Sequence, residues 1–151
     1  MRLFSPQVIN YPVNFFDMSG FIGKWKLVDS RDFDKVMVEL GVGYMTRKIA
    51  ENTKPTVTIT KFGEDGLTMK TESTFKTSEI SFQFGVEFDE TTADGRQVKS
   101  TVTKDSDYRI TQVQKHPNAD THIVRQVEND IMDTTVTVRD VVSHRRYQRI
   151  K

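Results

Sequence analysis

The chain contains no cysteine, only four prolines and eight glycines in 151 residues, and no excess of either charge. Without cysteine there is neither a disulfide framework nor thiolate ligation of a metal, a pattern that suits a reducing compartment. A net charge of +1 supplies no electrostatic reason to expect a nucleic-acid partner. Long hydrophobic runs are missing too. Nothing approaches the ~20 consecutive apolar residues of a membrane-spanning helix, and the first seventeen residues are too interrupted by Ser5, Pro6, Gln7, Asn10, Pro12 and Asn14 for a signal-peptide core. Residues 1–17 resemble nothing that follows and read as an appended segment, with residues 18–151 as one domain by length and Met18 as an alternative start.

What is present is a hairpin rhythm. Hydrophobic content is only 36%, low for a densely filled core, yet ten Phe, four Tyr and one Trp in short β-branched runs argue against disorder. GKWKLV alternates with Trp25 and Leu27 on one face. A helical stretch follows: Phe33, Val36, Met37 and Leu40 form one stripe, Asp32 and Asp34 favour its start, and Gly41 stops it. A second short helix is expected over residues 43–51, with Met45 and Ile49 inward and Arg47 and Lys48 outward, ended by Pro55. From there to the C-terminus strands alternate with turn signals every eight to twelve residues. Counting the first, ten antiparallel strands are expected, with both helices between strands one and two.

Ten meandering strands avoid exposed edges by closing into an all-β barrel, and one of that width is not filled by side chains alone. The low hydrophobic content then reflects a wet interior. Threonines sharing one face (Thr56, Thr58 and Thr60; Thr101 and Thr103; Thr135 and Thr137) suggest themselves as its polar lining.

The last strand, VVSHRRYQRI, raises the chemical question. Alternation puts Arg145 and Tyr147 on one face. Ile123, Arg125 and Val127 share a face two strands earlier. If Val136 and Val138 face inward between them, Arg125, Arg145 and Tyr147 all point into the barrel. Enclosed guanidiniums are costly unless an anionic or strongly polar partner meets them, and two guanidiniums with a phenol are suited to a carboxylate. No metal is indicated: His116, His122 and His144 lack ligand spacing, and Asp89, Glu90 and Asp94 lack the order and glycine of a calcium loop, which favours a solvated hairpin. No nucleophile–base arrangement suggests an enzyme.

These residues resemble an intracellular fatty acid-binding protein, particularly the heart or muscle type. The family's N-terminal pattern reads here as Gly23, Trp25 and Leu27, then Phe33, Asp34, Val36 and Met37; MKTESTFK (69–76) and GVEFDETTADGR (85–96) also match, within about 130 residues of similarity. Asp32 departs from the usual Asn, His or Gly, and Val36 replaces a residue often aromatic in the heart type. The resemblance implies a ten-stranded up-and-down clam with a two-helix lid, no cofactor, and a long-chain fatty acid held non-covalently. It puts the carboxylate-binding trio on Arg125, Arg145 and Tyr147. Portal and tail contacts fall on Phe33, Met37, Phe75, Lys76, Ala93, Asp94 and Arg96. It further implies a monomeric cytoplasmic carrier with visits to the nucleus, and the residues themselves suggest a basic rim of Arg47, Lys48 and Lys76 for brief contact with anionic membranes. A retinoic-acid binder of the same fold and a membrane-stacking structural protein are the alternatives.

Overall fold

The computed structural model describes residues 17–151; the expected appended segment, except Asp17, lies outside the described residues. Ten strands form one antiparallel sheet: β1 (Gly23–Arg31), β2 (Thr56–Phe62), β3 (Gly66–Glu72), β4 (Thr77–Gln83), β5 (Phe88–Thr91), β6 (Gln97–Ser106), β7 (Arg109–Lys115), β8 (Thr121–Glu128), β9 (Ile131–Val138) and β10 (Val141–Ile150). Helices α1 (Phe33–Glu39) and α2 (Tyr44–Glu51) lie between β1 and β2. Among the described residues no helix is long and apolar enough to cross a membrane.

The sheet order β4-β3-β2-β1-β10-β9-β8-β7-β6-β5 brings the first and last strands together and leaves β4 and β5 as its two edges. The ten strands thus form the expected barrel, near-closed, with one gap in its hydrogen-bonded ladder between β4 and β5. Gly85, at φ 77°, turns the chain there, a conformation that suits glycine. Side chains take over where the backbone ladder stops: Phe82 stacks on Phe88 at 5.6 Å and meets the edge of Phe84 at 5.9 Å.

Alternation decides which side chains enter. On β2 the buried residues are Val57 and Ile59, on β6 Val98, Ser100 and Val102, and on β9 Met132, Thr134, Val136 and Val138. The threonine rows expected to line the interior consequently face outward, at Thr56, Thr58 and Thr60, Thr101 and Thr103, and Thr135 and Thr137. On β2 the apolar Val57 and Ile59 gain more free energy from burial than threonine does, so the threonines there go to water; on β6 and β9 the inner rows themselves carry Ser100 and Thr134.

Two apolar clusters result. The larger joins Phe21, Trp25, Leu27, Ile59, Leu67, Phe82, Val102, Ile110 and Tyr147; the smaller joins Val36 of α1 to Ile123, Val136 and Val138. Trp25, fully buried, donates its indole N–H to the Phe21 carbonyl at 3.0 Å. Outside it lies Arg149, 4.3 Å from the ring centroid, with its guanidinium on the carbonyls of Gly20 and Ile22.

The lid differs from its expected orientation. On α1, Val36 and Met37 are buried as anticipated. On α2, Met45 is 73% exposed and Ile49 also faces out, while the expected outward Arg47 is half-buried, donating to Asp34 Oδ1 at 3.0 Å and to the Val42 carbonyl at 2.8 Å. These two charge-assisted bonds hold Arg47 against α1 and the loop that follows it.

Candidate functional site

Between the two clusters lies a cavity of about 320 Å³ under the helices, within the size range of small-molecule sites. All ten sequence-derived residues border it: Arg125, Arg145, Tyr147, Phe33, Met37, Phe75, Lys76, Ala93, Asp94 and Arg96.

Register places the polar trio. Arg125 on β8 and Arg145 on β10 both pair with Thr134 on the strand between them, and Tyr147 pairs with Met132. The three strands thus present Arg125, Thr134 and Arg145 side by side on the inner face, with Tyr147 one step along. Buried neighbours Ile123, Val127, Val136 and Ser143 pin this register, since a one-residue slip would turn every one of them outward.

The two arginines are held differently. Arg125 donates from Nη1 to Gln112 Oε1 at 2.8 Å. Burial pushes its guanidinium below the ordinary arginine value, and the attraction of Tyr147 and Glu90 only partly offsets this. Arg145 lies nearer the lid: its Nη1 donates to Ser30 Oγ at 3.0 Å and its guanidinium carbon sits 3.9 Å from the centroid of Phe33. It also borders a second cavity, between β1 and the helices. Thr134, paired with both arginines, has a buried Oγ1 without a hydrogen-bond partner among the described residues. A donor-rich inner wall with an unpartnered hydroxyl is chemically suited to an anionic oxygen pair.

Glu90 is the important residue that sequence reasoning missed. It was taken for part of a solvated hairpin, yet it borders the cavity, and its Oε1 accepts from Ser100 Oγ at 2.7 Å, Gln112 Nε2 at 3.0 Å and Gln114 Nε2 at 3.1 Å. Gln112 therefore links the Glu90 carboxylate to the Arg125 guanidinium. The signal was available on β7, where Ile110, Gln112 and Gln114 are the buried residues: two glutamines in an inward row need an internal partner.

The portal residues form two tied loops. In the β3–β4 turn, Ser73 Oγ accepts from the backbone N–H of Phe75 and Lys76, and Lys76 Nζ reaches across to the Ala93 carbonyl at 3.4 Å. In the β5–β6 turn, Asp94 Oδ2 accepts from Arg96 Nε at 2.7 Å and its Oδ1 from Thr92 Oγ1 at 2.8 Å. Burial works against the Asp94 carboxylate, but the Arg96 and Thr92 hydrogen bonds outweigh it and hold its pKa below the usual value. Phe75 is 57% exposed, an aromatic ring at the cavity mouth with little to cover it.

A family profile described as Lipocalin / cytosolic fatty-acid binding protein family matches residues 22–150. The chain is 59% identical over 132 residues to a fatty acid-binding protein of Clonorchis sinensis, covering 87% of this chain and 99% of that one. Among solved structures it is similar to the Schistosoma mansoni fatty acid binding protein in complex with arachidonic acid (TM-score 0.87, 53% identity, 89% of this chain and 99% of that one). It is also similar to Echinococcus granulosus fatty-acid-binding protein 1 (TM-score 0.86, 39% identity, 89% and 100%). With a profile match over most of its length and relatives this close, the chain belongs to the lipocalin / cytosolic fatty-acid binding protein family.

Proposed function

We propose that residues 18–151 bind one long-chain fatty acid non-covalently in the cavity, carboxylate toward Arg125, Arg145 and Tyr147, and carry it through the cytoplasm as a monomer. The observation that carries this reading is that Arg125 of β8 and Arg145 and Tyr147 of β10, on the two strands flanking β9, border one cavity. A relative whose structure holds arachidonic acid supports the ligand class. The trio suits a carboxylate ligand of either the heart or muscle type or the retinoic-acid branch, and the ligand titration below separates the two.

Magnitudes divide the labour. Burying a methylene yields ~0.8 kcal/mol, so a sixteen-carbon tail gives on the order of 12 kcal/mol gross, against ~1.5–3 kcal/mol for a hydrogen bond to a charged group. The tail supplies most of the affinity, and the arginines select acids over alcohols and fix direction. Ordering the ligand reduces the net figure well below the gross one. Phe33, Met37 and Phe75 serve the tail and mouth, and the loops of Lys76, Ala93, Asp94 and Arg96 frame the opening. Exposed Tyr44, Met45 and Ile49 on α2, beside Lys48, supply the apolar and basic contact for brief docking on an anionic membrane. Catalysis plays no part in this reading.

The test is calorimetric titration of delipidated protein with palmitate, arachidonate and retinoic acid. The reading expects saturable one-to-one binding of the two fatty acids and weaker binding of retinoic acid. Absence of saturable fatty-acid binding, or a clear preference for retinoic acid, would contradict it.

A further inference from the structure

The network around Glu90 is more polar than a simple acyl-chain tunnel requires. Its carboxylate stands on β5, Ser100 on β6, and Gln112 and Gln114 on β7, and three donors converge on Oε1 alone. No protein donor meets Oε2 among the described residues. Next to Gln114, across the β7–β8 ladder, is Thr121. It is 1% exposed and borders the same cavity, and among the described residues its hydroxyl has no hydrogen-bond partner. A buried hydroxyl left unpaired is costly without a partner, and Glu90 Oε2 stands as an unused acceptor.

Resting on the fatty-acid reading above, we propose that Glu90, Gln114 and Thr121 form a second polar subsite, which takes a mid-chain hydroxyl of a long-chain fatty acid. The chemistry selects that group. A hydroxyl both donates and accepts, so one O–H can donate to Glu90 Oε2 and accept from Thr121. A ligand carbonyl only accepts and would face the carboxylate unfavourably; a second carboxylate would be repelled by it. Arg125, joined to Glu90 through Gln112, disfavours an ammonium in the same place. Arg125 of the proposed head-group trio and this wall lie one glutamine side chain apart. The pocket therefore reads two polar points on one ligand: an acid at its end and a hydroxyl along its chain.

The test titrates the full chain with stearate and with hydroxystearates carrying the hydroxyl at successive mid-chain carbons, and with the methyl ether of the best isomer. One position is expected to bind about tenfold tighter than stearate, the size of one hydrogen bond to a charged group, and its ether to lose that gain. In Thr121→Val and Glu90→Gln the ratio of the best isomer to stearate should fall to within about twofold. Stearate binding in each variant reports that the cavity is intact. A flat positional profile in the unaltered protein, or a preference that survives in both variants, overturns the subsite while leaving fatty-acid binding standing. Failure of stearate itself to bind overturns both.

Discussion

The Arg145 guanidinium lies over the Phe33 ring, its central carbon 3.9 Å from the ring centroid. A β10 residue of the proposed head-group site is thereby coupled to the first residue of the lid. An aromatic face attracts a cation by about 0.5–2 kcal/mol depending on desolvation. Phe33→Leu keeps an apolar wall and removes that attraction. Palmitate affinity should drop by a few-fold, with hexadecanol affected less, because only the acid uses an oriented Arg145. Paired calorimetric titrations of the variant check this; equal losses for acid and alcohol would assign Phe33 to tail packing alone.

The β5–β6 loop should keep its shape well into acid. Asp94 is held below the ordinary carboxylate value despite burial, by Arg96 and Thr92. A carboxylate whose folded pKa is depressed contributes stability that is fully present above the unfolded value of about 3.9 and is lost as pH falls through the folded pKa. Loop amide shifts followed by NMR should therefore hold at pH 4 and change only below it. Asp94→Asn should abolish that acid transition. A loop transition centred above pH 4 in the unaltered protein would contradict the assignment.

Gly66 should not tolerate a methyl group. A Cβ built there would stand 2.1 Å from the Phe82 carbonyl oxygen and 2.8 Å from that of Phe62, both main-chain atoms of the β2–β3–β4 meander that cannot swing aside. Overpacking of this kind costs about 1–3 kcal/mol, so Gly66→Ala should lower the urea midpoint accordingly. An unchanged midpoint would mean that the strands separate more easily there than their pairing indicates.

Much of this arrangement is written in the alternation of particular residues. Ile123 and Val127 flank Arg125, and Val136 and Val138 mark the inner face of β9, so the direction of Arg125, Arg145 and Tyr147 follows from a period of two. The threonine rows were misassigned because a polar lining was expected somewhere, and β-branched threonine suits either face of a strand. The strand polar residues on the cavity wall instead include Glu90, Gln114, Thr121 and Thr134, with Gln112 bridging Glu90 to Arg125; they are scattered over four strands and become a group only when the sheet forms. The outward turn of Met45 was equally hidden. Helical spacing gives α2 two faces, but Arg47's bonds to Asp34 and to the Val42 carbonyl decide which one meets α1. The β4–β5 seam has no local signature beyond Gly85, since a hairpin rhythm predicts pairing at every turn.

The central claim is that Arg125, Arg145 and Tyr147 receive a carboxylate inside the barrel. It is tested most directly by titrating palmitate and hexadecanol against the unaltered protein and against Arg125→Met, Arg145→Met and Tyr147→Phe. Each substitution should weaken palmitate binding, by at least about tenfold for the arginines in keeping with a hydrogen bond to a charged group, while hexadecanol affinity changes less than twofold. Palmitate affinities that stay the same in all three variants would contradict the account.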